Sequence, residues 1–264
     1  MSKKKLVLLT GGKGFIGGHL KKALKSSGDF IVFSYEDDVL KGLPDADWDI
    51  IYHLAANTNT IYPDDIEMYY NNINTSLEAL RMALKRNCRL IYASSGAVYG
   101  NGKGPLNAYG HSKLIFDQIA AHYYDRIPIV GLRFFNVYGP GEEKKGKMAS
   151  MITQWRLQMQ CGLRPRIFKT QAKRDFVYIK DVIRSLLMAQ NLESGCYDVG
   201  TGRPVSFRKV LRLLQKEMGI NLEPVYIENP HPEKYQFYTK ADISWGFKPK
   251  YYIEDGIRDY LKSL

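Results

Sequence analysis

The residues at positions 5–24, KLVLLTGGKGFIGGHLKKAL, restrict this chain more than any other stretch. Residues 6–10 are too apolar for a surface loop and too few to cross a membrane, and they read as a buried strand. Gly11, Gly14 and Gly17 then fall three apart. Behind them Phe15, Ile16, Leu20, Ala23 and Leu24 recur at helical spacing. Strand, glycine turn and helix follow one another without a gap. Such a turn lets the backbone bend sharply. It also lets a pyrophosphate approach free N–H groups at a helix N-terminus, where the macrodipole favours an anion. A dinucleotide site is expected here, formed by Gly11, Gly14, Phe15, Ile16 and Gly17.

A chain of 264 residues holds one large α/β domain or one and a half, and buries roughly 75% of its unfolded surface. Its 38 basic and 27 acidic residues leave a net charge of +11, so anionic partners are expected: nucleic acid, a membrane surface or phosphorylated metabolites. Cys88, Cys161 and Cys196 lie far apart and form no CxxC pair, which suggests neither a disulfide framework nor a zinc site and fits a reducing compartment. The positive start MSKKK resembles that of a signal peptide, but the apolar run after it stops at Thr10-Gly11-Gly12. No long apolar span follows, so a soluble, cytoplasmic protein without a membrane partner is expected.

Residues 30–33 read as a second strand ending at Ser34. A dinucleotide fold that prefers NAD usually carries an acid there, to bind the ribose 2′-hydroxyl. Serine at this place, with Lys13 inside the glycine turn, favours NADP. NAD stays open, because Glu36, Asp37 and Asp38 would reverse the argument if the strand ran longer. Only some fourteen residues separate Ser34 from the next apolar run, DIIYHLAA at 49–56, so this edge of the sheet is expected to be pared down. A helix over 65–86, a strand over 89–94 and another over 127–134 continue the alternation. The pattern is that of an α/β protein with a parallel, doubly wound sheet. Residues 1–145 are read as its dinucleotide-binding domain. Residues 146–264 are read as a smaller lobe closing over the cofactor, with helices near 148–161, 181–190, 207–218 and 253–261, and with 196–200 returning to the main sheet.

Tyr109 and Lys113 stand four apart in a segment suited to a helix, with Asn107 as its N-cap. They therefore share a face. An ammonium beside a phenol favours the phenolate, lowering a pKa that starts near ~10 and making the tyrosine a usable acid/base. Chance is the rival in a chain with 19 tyrosines, and Tyr99 and Lys103 repeat the spacing. That second pair lies among glycines that no helix would hold in register. Ser95 ends a strand at the sheet edge where doubly wound folds place ligands, and its hydroxyl can bond a substrate oxygen. His53 sits at a strand end and reads as packing. The remaining histidines show no metal spacing, and no metal is assigned.

TGGKGFIG, HLAA, SSGAVYG, Tyr109 with Lys113, and LRFFNVYGP together resemble the extended short-chain dehydrogenase/reductase family of nucleotide-sugar epimerases and dehydratases, nearly end to end. The resemblance implies a Rossmann sheet and a catalytic trio of Ser95, Tyr109 and Lys113, with Lys113 also on the nicotinamide ribose. It implies Leu54, Ala55, Ala56 and Asn72 against the cofactor, and Asn136, Lys147, Met148, Arg174 and Tyr235 against a nucleotide-diphosphate sugar. A homodimer through 65–86 and 107–124 is likewise implied. The second half, with KGKMASMITQW, RDFVYIKDV and KYQFYTKAD, is most similar to the heptose 6-epimerase branch, where the lysine matching Lys145 is a second acid/base. Ser95 and Tyr109 are only fourteen positions apart, a shorter connection than the family's, so the sugar pocket is expected to differ. Gly96 and Ala97 replace the acids that dehydratases carry, which favours inversion over loss of water. Arg164, Arg166, Lys169 and Lys173 flank the implied diphosphate segment without interleaved aromatics, so no nucleic-acid partner is expected. UDP-hexose 4-epimerase, GDP-sugar epimerase-reductase and a non-catalytic dinucleotide sensor are the alternatives.

Overall fold

The computed structural model describes residues 3–264. Its elements in chain order are β1 (Lys5–Thr10), α1 (Phe15–Ser27), β2 (Phe30–Tyr35), β3 (Ile50–His53), α2 (Asp65–Arg86), β4 (Arg89–Ser95), α3 (Ala108–Ala121) and β5 (Ile129–Phe134). They are followed by β6 (Asn136–Tyr138), α4 (Met151–Gln160), β7 (Arg166–Phe168), β8 (Lys173–Arg174), β9 (Phe176–Tyr178), α5 (Ile179–Met188) and β10 (Gly195–Val199). β11 (Val205–Ser206), α6 (Phe207–Met218), β12 (Val225–Ile227) and α7 (Ile253–Lys262) complete the chain.

Six strands form the main sheet in the order β10-β5-β4-β3-β1-β2, every pair parallel. Residues 196–200 were expected to return to this sheet, and Gly195–Val199 does so beside β5. The inner strands are apolar on both faces because helices cover both. Val7 and Leu9 join Leu20 and Leu24 of α1 and Val182 and Leu186 of α5 in one core. Leu8, one residue out of phase, packs with Leu80 and Ala83 of α2 and Phe116 and Ala120 of α3 in the other. The pared-down edge is also present. Between β2 and β3 the chain makes only a 3-10 turn at Val39–Lys41, so β2 is the outermost strand.

Three short pairs, β6 with β9, β8 with β11 and β7 with β12, build the region beyond the sheet. A fully buried carboxylate ties it together: Asp175 accepts from Thr201 N (2.7 Å), Thr201 Oγ1 (2.6 Å), Gly202 N (2.8 Å) and Ala241 N (3.0 Å). A buried charge is tolerated when several donors satisfy it, and this one fixes the neighbouring Arg174. The boundaries differ from the sequence reading where local chemistry acts. β3 stops at His53, freeing Leu54, Ala55 and Ala56 as a loop at the strand's carboxyl end. α4 begins at Met151 because Ser150 caps it, accepting from Thr153 N at 3.4 Å. No described helix is long and apolar enough to cross a membrane, and the three cysteines are unpaired.

Candidate active site

The glycine turn shows why its residues must be small. A Cβ on Gly11, whose φ is 73°, would lie 2.8 Å from Ala55 N, and one on Gly17 would lie 2.1 Å from the Gly11 carbonyl oxygen. The turn is thus pressed between the 54–56 loop and its own helix. α1 starts at Gly14 with no side-chain cap and no acid in its first turn. Its first N–H groups are free for an anion. This cradle fits a dinucleotide pyrophosphate.

A cavity of about 500 Å³ opens beside that turn. Gly11, Gly14, Phe15, Ile16 and Gly17 line one wall, with Leu54 and Ala56 next to them. Ser95, Tyr109, Lys113, Asn136, Lys145 and Met148 line the rest. Residues from six segments of chain therefore converge on one cleft at the carboxyl edge of the sheet, where doubly wound folds bind ligands.

α3 delivers two of them. Asn107 caps it by accepting from Gly110 N at 2.9 Å, which starts the helix so that Tyr109 and Lys113 share a face. The Lys113 ammonium is buried, donates to the Ala93 carbonyl at 2.8 Å and lies 6.0 Å from the Tyr109 ring centroid. Burial pulls the Lys113 pKa down to about 8, against the pull of Asp117 one turn further on. Burial also pushes the Tyr109 phenol above its ordinary value, and the Ser95 hydroxyl beside it works in the opposite sense. In the free protein the phenol is therefore not lowered as its lysine neighbour suggested, since desolvation outweighs the Ser95 hydrogen bond. Ser95 ends β4 in a turn in which its Oγ accepts from Ala97 N at 3.1 Å.

Across the cleft, Lys145 lies on the irregular 142–148 segment, 3.3 Å from Glu142 Oε1, with its ammonium 5.8 Å from the Phe15 ring centroid. Glu142 was not singled out in the sequence, where GPGEEKKGK looked like a solvated charged loop. It is fully buried and accepts from Ser150 N (2.8 Å), Ser150 Oγ (2.6 Å) and Thr153 Oγ1 (2.8 Å) as well as from Lys145. The only signal in the sequence was an acid three residues before the lysine.

Other expected residues lie outside this cleft. Asn72 is buried behind it: its Oδ1 accepts from Asn57 N (2.8 Å) and its Nδ2 donates to Asn57 O (3.0 Å) and Ser112 Oγ (3.1 Å). It braces the 54–58 loop from behind and does not line the cleft. Lys147 is exposed and contributes no lining, because the segment turns it toward solvent. Ala55 faces the glycine turn through its backbone. Ser34 and Lys13 lie at the far end of the turn, where Glu36 accepts from Ser34 and pairs with Lys21 (3.1 Å) and Lys13 (3.6 Å). β2 runs on through Tyr35 and brings that carboxylate to the corner. His53 is spent on Thr10 Oγ1 (2.9 Å) and Ser76 Oγ (3.2 Å), and burial lowers its pKa to about 3, which keeps it neutral.

A second cavity of about 490 Å³ adjoins the first, sharing Met151 and Phe207 with it, and is walled by Trp155, Phe168 and Tyr235. Arg174 stands by these shared walls, its guanidinium 4.8 Å from the Tyr235 ring centroid and 5.8 Å from that of Phe207. It is buried, its Nη1 has no partner, and desolvation lowers its pKa to about 10. The unpartnered Nη1, buried beside the aromatic residues that wall the second cavity, is open to an acceptor.

Residues 7–200 match the NAD dependent epimerase/dehydratase family. The chain belongs to that family. Among solved structures, ADP-L-glycero-D-manno-heptose-6-epimerase of Helicobacter pylori is similar at 28% identity over 99% of this chain and 96% of its own, with a TM-score of 0.88. UDP-glucose 4-epimerase of Thermus thermophilus, in complex with NAD, shares the fold at 23% identity over 97% and 98% of the two chains (TM-score 0.83). RMD from Pseudomonas aeruginosa, complexed with NADPH, does so at 23% identity over 98% of each (TM-score 0.84). As a member of the NAD-dependent epimerase/dehydratase family, this chain is an enzyme that depends on a nicotinamide dinucleotide. Among the described residues, no three His, Cys, Asp or Glu side chains group as metal ligands.

Proposed function

We propose that this enzyme inverts one carbon of a nucleotide-diphosphate sugar through a transient ketone, as a heptose 6-epimerase does. The observation that carries the reading is Lys145 facing the Ser95–Tyr109–Lys113 side of the same cleft, so that two proton carriers approach it from different segments. The bound dinucleotide supplies a reversible hydride acceptor. Ser95 hydrogen-bonds the sugar oxygen. Tyr109 or Lys145 takes the hydroxyl proton and the other returns one after the flat ketone has turned over. Lys113, desolvated beside the phenol, holds positive charge where phenolate develops. Arg174 takes the diphosphate, and the aromatic cavity beyond it takes the base. Gly96 and Ala97, where a dehydratase carries acids, support inversion over loss of water.

For the dinucleotide, Glu36 moves the reading from NADP to NAD. Its carboxylate occupies the corner that a 2′-phosphate would need, and the Ser34 hydroxyl and Lys21 keep it ionised. NADP is accommodated if Glu36 swings out and yields Ser34, Lys13 and Lys21 to the phosphate. Glu36→Gln should then raise NADP affinity relative to NAD.

Incubation with ADP-heptose, UDP-glucose and UDP-N-acetylglucosamine, followed by proton NMR, tests the function. One sugar should be inverted without net consumption of dinucleotide. Stoichiometric loss of NADPH would point to an epimerase-reductase instead, and no turnover with any sugar would favour a dinucleotide sensor.

A further inference from the structure

Strand β2 closes the sheet on one side, and among the described residues no further strand pairs with it. Its outer row of backbone N–H and C=O groups is open. Ile31 and Phe33, two apart and so on one face, are 56% and 48% exposed, because no helix is built between β2 and β3 to cover them. Edge strands are normally guarded by lysine, proline or a bulge, and an unguarded one is a template for another chain. β2 reads FIVFSY, six residues without charge, proline or glycine.

The charges at its two ends identify the partner. Exposed Lys3, Lys4 and Lys5 stand at the foot of β1, where Lys5 is in register with Phe30, and exposed Lys25 ends α1 close by; Asp29 is the one acid among them. Past the other end come Glu36, Asp37 and Asp38. Glu36 is engaged by Lys13 and Lys21, while Asp37 and Asp38 are exposed, with Lys41 following. A second copy laid parallel would set like charge against like. Laid antiparallel, it sets the lysines of each copy toward the aspartates of the other, twice by symmetry.

We propose that β2 is a self-pairing edge: two copies of this chain join β2 to β2 antiparallel about a two-fold axis near Val32, doubling the six-stranded sheet. Ile31 of each copy then lies opposite Phe33 of the other, a β-branched and aromatic pair of the kind that stabilises antiparallel strands. This association is separate from the pairing of helices 65–86 and 107–124 that the family resemblance implies, and it does not depend on the substrate.

Sedimentation velocity on the purified full chain, across a range of concentrations, tests it. The double variant Ile31→Lys/Phe33→Lys should show half the limiting mass of the wild type while keeping its melting temperature and dinucleotide binding. Lys3→Glu/Lys4→Glu and Asp37→Lys should each weaken association roughly fivefold, and all three substitutions in one chain should recover it. Equal limiting masses for wild type and I31K/F33K, or a charge swap that weakens association further, would overturn the proposal.

Discussion

Replacing Glu142 by Gln tests how the cleft holds Lys145. The carboxylate has no contact with solvent and receives four donors, one of them the Lys145 ammonium at 3.3 Å. Glutamine keeps the shape but turns one acceptor oxygen into a donor. The Ser150 and Thr153 hydroxyls can rotate to accept from it, whereas the Ser150 N–H and the ammonium cannot. With its carbonyl kept at Oε1, toward the Ser150 N–H and Lys145, and its NH2 at Oε2, toward the two hydroxyls, glutamine can keep every partner but not the charge, and the charge assistance lost over four bonds amounts to about 1.5–3 kcal/mol. For a chain of this size each kcal/mol moves the melting temperature by about 2–4 °C, so calorimetry should show a fall of about 5–10 °C. Lys145 loses the charge that anchors it, and turnover should drop at least about tenfold, since positioned proton carriers contribute about 10²–10⁴ in rate. Dinucleotide affinity, set at the glycine turn, should stay within about twofold of the wild type, well inside a tenfold loss of 1.4 kcal/mol. A variant that melts within 2 °C of the wild type (under about 1 kcal/mol) and turns over at the same rate would refute this view of Glu142.

Gly17→Ala places a methyl 2.1 Å from the Gly11 carbonyl oxygen, against backbone that cannot rotate away. Calorimetric titration should show the dinucleotide bound about 10- to 100-fold more weakly, the equivalent of about 1–3 kcal/mol of overpacking. Arg174→Met keeps the volume but removes the buried cation; KM for the sugar nucleotide should rise by about tenfold or more, with kcat changed less and dinucleotide binding unaffected. Lys113 gives stability a sign with pH. Between about pH 8 and 10.5 the unfolded lysine holds a proton that the folded one has lost, so stability rises with pH across that window. Relative to Lys113→Met, the wild type should gain about 3 kcal/mol in denaturant melts from pH 8 to 10.5, the linkage worth of a lysine pKa lowered from 10.5 to about 8.

Much of this was legible in the sequence because it is local. The glycine spacing, the four-residue interval of Tyr109 and Lys113 and the Asn107 cap each act within one or two turns of chain, and α2 spans Asp65–Arg86 as the periodicity required. Glu142 was not legible, since burial of a charge depends on Ser150 and Thr153 folding back over it. Asn72 was misplaced for a related reason: its amide is taken up by the 57 loop, a contact that no helical spacing reveals. The position of Glu36 turned on one or two residues at the end of β2, where propensity alone does not fix a boundary. Desolvation of Tyr109 was likewise invisible until the walls of the cleft were in place.

The most direct measurement is the turnover of Tyr109→Phe on the sugar nucleotide that the wild type inverts, followed by NMR beside a dinucleotide titration. In the proposed mechanism the phenol oxygen carries the proton, so inversion should fall by about 100-fold or more while dinucleotide affinity is retained. Inversion at the wild-type rate by a variant that still binds the dinucleotide would contradict the account.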